Sequence, residues 1–257
     1  MTWKKFPYPE PAFDYTAGSL RQAWPGLHAG DVEAWPARPV LVNAWIDFHA
    51  GRFELAARAG LHLGIDGYAV AHKATCMHAI YLDADAAARR ARLQDVAERC
   101  VQQQRQQPDC AAGFYWHAYA LGRYSQDISV VTALAQGIGG KVKASLERTL
   151  KLAPRHADAH IALGVYHAEI IDKVGAVLGG ISYGASRAQA IDHFDTALRL
   201  NRHSAIARVE YARALRMVGG AARADAARAL VREAAAMTPR DAMERLDVER
   251  ARQELGE

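Results

Sequence analysis

ADAHIALGVYH, residues 157–167, and AIDHFDTALRL, residues 190–200, decide how this chain folds. Both space their apolar side chains as a helix requires. The first holds His160-x2-Leu163-Gly164-x2-His167; the second holds Ala190-x3-Phe194, followed by Ala197 and Leu198. Gly164 and Ala190 read as the points where two helices of a hairpin cross closely, because a larger side chain would hold the backbones apart. Leu163, Phe194 and Leu198 read as the groups that fill the space towards neighbouring hairpins.

The unit echoes on both sides. SLERTLKLAP (145–154) reads as the end of a preceding second helix closed by Pro154, and AAGFYWHAYALGR (111–123), after Pro108, as its first helix. IARVEYARALRMVGG (206–220) opens a further hairpin that AARALVREAAAMTP closes at Pro239. GRFELAARAGLHLG (51–64) reads as the turn and second helix of an earlier unit, and residues 68–106 as another hairpin with a long second helix. HAGDVEAWP (28–36) echoes HAGRFELAA (49–57), which points to a degenerate unit before it. Ahead of these, Pro7, Pro9 and Pro11 forbid a helix, and Trp3, Phe6, Tyr8, Phe13 and Tyr15 predict an extended arm docked on the body. The division expected is therefore 1–35, arm and degenerate first unit, and 36–257, the repeat.

Composition agrees. Among 257 residues 53 are alanine and 9 proline, which favours helix and argues against both disorder and an all-β barrel. Net charge is +4, from 32 basic and 28 acidic residues. The longest basic cluster, Arg89, Arg90 and Arg92, makes no stripe with interleaved aromatics, so no nucleic-acid partner is expected. Cys76, Cys100 and Cys110 form neither a disulfide framework nor a zinc pattern. No apolar run follows Lys4 and Lys5, and none approaches the roughly 18 residues of a membrane span. The expectation is a cytoplasmic protein without a membrane span.

The His160–Phe194 pattern, with a late closing slot, resembles the tetratricopeptide (TPR) repeat, His160 and His167 standing where that repeat places Trp and Tyr. Arg202 fills the slot usually held by proline. The resemblance implies an all-α, TPR-like alpha-alpha superhelix, a solenoid of about five helical hairpins over residues 40–240. Closing slots lie 46 residues apart (Pro108 to Pro154), then 48 (to Arg202), then 37 (to Pro239), against about 34 for the repeat. Two middle hairpins thus carry apolar, Gly-rich insertions, SQDISVVTALAQGIGG (125–140) and VGAVLGGISYGAS (174–186). GIGGKVKASLERTLKLAP, HADAHIALGVYHAEI and GGISYGASRAQAIDHFDTALRL also resemble the T-components of TRAP transporters and the regulator-of-microtubule-dynamics proteins. This chain departs from the exported T-components in having no lipobox cysteine.

The resemblance implies a non-catalytic scaffold with a protein or peptide partner in its concave groove and no cofactor. Within the repeat, residues one turn apart on the first helices face that groove: Tyr115, Tyr119 and Arg123; Asp158, Ile161, Val165 and Glu169; and Arg213 and Arg216, with Met217 beside them. Tyrosines beside an arginine make a recognition composition. The T-component likeness implies instead a small apolar ligand in a cavity lined by Ile128, Val131, Leu134, Val177, Leu178 and Ile181. The degenerate repeats and apolar insertions leave room for a homo-oligomer. His156, His160 and His167 fall on one side of a helix, a spacing a metal could use. Their repeat slots point rather to ring packing with one hydrogen bond each, so no metal is expected, and a metal-dependent enzyme is the minor reading. GIGGKV (137–142) lacks the first glycine and the hydroxyl of a phosphate loop, with Ala135 and Val142 in their places.

Overall fold

A computed structural model describes residues 2–256, and among these every regular element is helical. The chain forms two compact units. Unit 1 comprises the chain up to His28, Val32–Leu152 and Arg240–Met243; unit 2 comprises Ala29–Asp31, Ala153–Pro239 and the chain from Glu244 onward.

In unit 2 the quoted hairpin forms as its residues dictate. Helix α9 (Ala157–Val174) packs along α11 (Arg187–Leu200), and α12 (Ala205–Gly219) covers the pair before turning into α13 (Ala224–Ala235). Gly164 is the crossing point: a Cβ there would stand 2.6 Å from the Phe194 ring. Phe194 is fully buried and stacks on Tyr211 of α12 at 4.8 Å, with 6° between the rings. One aromatic thus ties three helices together. Ser186 and Ser204 cap α11 and α12, each accepting a backbone N–H three residues on. The closing helix is α14 (Ala242–Leu255), whose Val248 and Ala251 complete the core beneath α12 and α13.

Unit 1 repeats the scheme. Pro39 starts α2 (Pro39–His49), which pairs with α3 (Phe53–His62). Helix α4 (Tyr68–Tyr81) pairs with the long α5 (Ala86–Gln106), and α6 (Ala111–Gln126) with α8 (Ile138–Leu152). Before them stands α1 (Ala17–Leu27), capped reciprocally by Thr16 and Ser19. The five hairpins α2/α3, α4/α5, α6/α8, α9/α11 and α12/α13 fall where the repeat pattern sets them. Each insertion carries its own short helix, α7 (Val130–Ala135) and α10 (Ala176–Tyr183). GIGGKV enters the first turns of α8, with Val142 buried, so it makes helix rather than a phosphate loop.

Candidate functional site

On α6 the three residues named above are neighbours along one side of the helix. Tyr115, Tyr119 and Arg123 follow one another up the helix, with ring centroids 6.1 Å apart and the Arg123 guanidinium 5.3 Å from the Tyr119 ring. Tyr115 is only 5% exposed and belongs to the buried core. Tyr119 and Arg123 are half-buried, and Arg123 Nη1 donates to Gln126 Oε1 at 3.3 Å. Trp116, beside Tyr119 at 5.3 Å, stiffens the stripe.

In unit 2 the expected groove residues are distributed differently. Ile161, 7% exposed, belongs to the core with Phe194, and Val165 packs on the same core. Helix α9 packs against both α11 and α12, and Ile161 is taken into the core between them. The Asp158 carboxylate closes over Gly30, and its amide donates to the Gly30 carbonyl at 3.0 Å. Glu169 pairs with Lys173 one turn on, at 3.2 Å. Arg216 and Arg213 reach Glu254 of α14 at 3.1 and 3.9 Å, so these cations hold the end helix.

The three histidines do not converge. His156 is the N-cap of α9, its Nδ1 accepting the Ala159 amide at 3.1 Å, so it leaves the face its spacing predicts. His160 and His167 do face the second helix, where His193, missed in the sequence reading, meets both. His160 Nδ1 and His193 Nδ1 share a hydrogen bond of 2.9 Å, and His167 lies parallel to His193 at 5.6 Å. Burial, then the neighbouring His193, pushes His160 down to about 4; burial and then His167 lower His193. Among the described residues no group of three or more His, Cys, Asp or Glu is disposed to hold a metal ion.

The insertions present their apolar side chains outward. Val131 is 76%, Val177 74% and Ile181 81% exposed, and Leu134 and Leu178 are exposed as well, with Ile128 half-buried. An enclosed cavity would bury these side chains, so they do not form the walls of one.

Two polar centres of unit 1 have no local signature. In the first, the Asp241 carboxylate accepts from His49 Nδ1 at 2.6 Å, and both side chains are 1% exposed. His49 Nε2 lies 3.3 Å from His28 Nε2, with one proton shared between them. Trp24 stacks on His28 at 3.8 Å, and Trp45 lies edge-on to it at 4.8 Å. The buried Lys73 ammonium stands 5.2 Å from the Phe48 ring. Asp241 orients His49 and sets its tautomer, but the chain is closed to solvent, and its evident work is to fix helices α1 and α2 against residues 240–243.

The second centre holds the N-terminal arm. Arg92 Nε donates to Asp83 Oδ2 at 2.9 Å, and its Nη2 donates to the Thr2 carbonyl at 3.0 Å. The Lys4 amide donates to His78 Nε2 at 2.8 Å. Trp3 lies beside His78, and Phe6, Phe13 and Tyr15 dock further along. The predicted docked arm is therefore present. Cys76 and Cys100 are buried free thiols, and Cys100 Sγ lies 3.4 Å from His72 Nδ1.

No protein-family model matches the chain, and a search of curated proteins finds no match. Among solved structures, the chain is similar to a thermophilic TPR protein of Thermus thermophilus, with a TM-score of 0.58 and 15% identity over 84% of this chain and 98% of that one. The fold is therefore that of a TPR-like helical repeat protein. Among the described residues no helix is long and apolar enough to cross a membrane.

Proposed function

We propose that this chain is a non-catalytic TPR-type scaffold that binds a protein partner, with the two inserted helices as its contact surfaces and the Tyr119–Arg123 stripe as a groove-side contact for an extended segment. The observation that supports this most is the placement of apolar surface. Of eleven exposed large hydrophobic side chains among the described residues, six sit on α7 and α10: Val130, Val131, Leu134, Val177, Leu178 and Ile181. The other five, Val32, Val40, Leu55, Leu61 and Met217, are scattered along the chain rather than gathered on one short helix. Apolar side chains gathered on short surface helices are the ordinary mark of a protein-contact site, and an α-helical repeat is a frame that can carry one. The same exposure counts against an enclosed carrier channel for a small apolar ligand.

The test is affinity purification from native cells with the full chain, comparing wild type with Val131→Asp/Leu134→Asp and with Val177→Asp/Ile181→Asp. The proposal expects a defined protein retained at stoichiometric yield by wild type and lost by at least one Asp pair whose circular dichroism is unchanged. Equal recovery by all three overturns it.

A further inference from the structure

The arm's seat in unit 1 holds an extended segment through main-chain atoms and aromatic side chains together. Two of its bonds go to main-chain atoms on either side of one aromatic: Arg92 donates to the Thr2 carbonyl at 3.0 Å, and His78 Nε2 accepts from the Lys4 amide at 2.8 Å. Between them the Trp3 indole lies 4.3 Å from the Arg92 guanidinium and 4.5 Å from the His78 ring. Asp83 secures the seat from behind, bonded to Arg92 and 3.6 Å from His78 Nδ1. Three residues further on, Phe6 closes over Gly51, where a Cβ would stand 2.5 Å from its ring, and meets Phe53 edge-on at 6.2 Å. Gly51 has φ +80°, so glycine both permits the turn and makes room for the ring.

Main-chain bonds are indifferent to sequence, so selectivity comes from the two aromatic seats. The charges are costly where they are: the Arg92 and Asp83 side chains are each 6% exposed, and burying such groups is offset only by well-placed partners. Here Arg92 and Asp83 partner each other, and the guanidinium turns a further N–H to the extended arm at the Thr2 carbonyl. We propose that this seat is a recognition site for extended peptides carrying Trp-x-x-Phe, and that residues 2–8 occupy it in cis as a displaceable competitor. A tethered occupant acts at an effective concentration of about millimolar, so an outside segment binds measurably only when the arm's anchors are weakened or outcompeted. The site uses no residue of α7 or α10, and its failure would leave the scaffold reading above untouched.

The probe is a fluorescent peptide of residues 2–16, TWKKFPYPEPAFDYT, titrated by anisotropy into the full chain. Trp3→Ala/Phe6→Ala vacates both seats. The proposal expects saturable binding at least tenfold tighter to this variant than to wild type, and at least tenfold loss when the peptide carries Trp3→Ala or the receptor adds Arg92→Gln. Equal affinity for wild type and variant, or no saturation with a variant of native helicity, overturns it. A measurement on the unaltered protein covers a variant that does not fold. Isotope-labelled peptide in excess should raise deuterium uptake of the chain's own residues 2–8, and unchanged uptake at millimolar peptide overturns the proposal.

Discussion

Replacing Gly164 and Phe194 separately and together tests the crossing on which unit 2 is built. Phe194→Ala removes a fully buried ring held between Gly164 and Tyr211, and such truncations cost about 3–5 kcal/mol. Gly164→Ala has two opposed effects. Alanine gains about 1 kcal/mol of helix propensity over glycine in mid-helix. Its Cβ, however, meets Phe194 at 2.6 Å, and overpacking of that kind costs about 1–3 kcal/mol. The single variant should therefore be neutral to less stable by about 2 kcal/mol. With Phe194 already truncated the overlap is gone, and Gly164→Ala should stabilise by about 1 kcal/mol. The coupling energy is the overpacking term itself, about 1–3 kcal/mol. Urea unfolding followed by far-ultraviolet circular dichroism reads all four proteins. All five tryptophans lie in unit 1, so their fluorescence serves as a record of that unit in the same titration. Strict additivity, with Gly164→Ala changing stability equally in both backgrounds, would refute the crossing.

Three further outcomes follow from buried polar groups. Burial, then the nearby Arg99 charge, holds His72 at about 3, and burial with His193 holds His160 at about 4, against an ordinary value of 6.5. The unfolded chain thus takes up protons that the folded chain refuses. Stability present above pH 6.5 is lost as pH falls towards 4, and a Tm at about pH 4.5 no lower than at about pH 7.5 would contradict this. Asp241→Ala leaves the His49 Nδ1–H buried without its acceptor and should cost about 1–3 kcal/mol in urea unfolding read by tryptophan fluorescence. Asp241→Asn, which keeps an acceptor oxygen, should cost less, and the reverse order would remove the hydrogen bond from the explanation. Burial raises the Cys76 and Cys100 thiols and leaves Cys110 half-buried, so a thiol reagent should modify Cys110 alone in the folded protein and all three after unfolding.

The repeat was legible because its signals are local and recur. Gly164 against Phe194, Pro108 and Pro154 before first helices, and the excess spacing that marks the insertions can each be read within one hairpin. Exposure is less local. Ile161 stands at a groove spacing on α9 yet lies in the core, clustered with Phe194 of α11 and Ala207 of α12. His156 has the spacing of a helix face but stops at the helix boundary, where its ring serves better as a cap. The alternative reading from the T-component likeness, a cavity walled by the apolar runs of α7 and α10, could not be judged from sequence, because a run on a helix of six or eight residues says nothing of which neighbour covers it. The polar centres of unit 1 were illegible for a simpler reason: Asp241 and His49 are 192 residues apart, and Lys4 and His78 are 74 apart. No periodicity joins positions that only tertiary folding brings together.

Site-specific photocrosslinking in native cells tests the proposed contact surfaces most directly. A photoreactive residue at Val131 or Ile181, both exposed on the inserted helices, should trap one discrete protein adduct, while the same residue at Leu55, equally apolar and 55% exposed on α3, should trap none. Adducts of the same identity and yield at all three positions, or none at Val131 and Ile181, would contradict the proposal that the inserted helices are where this scaffold meets its partner.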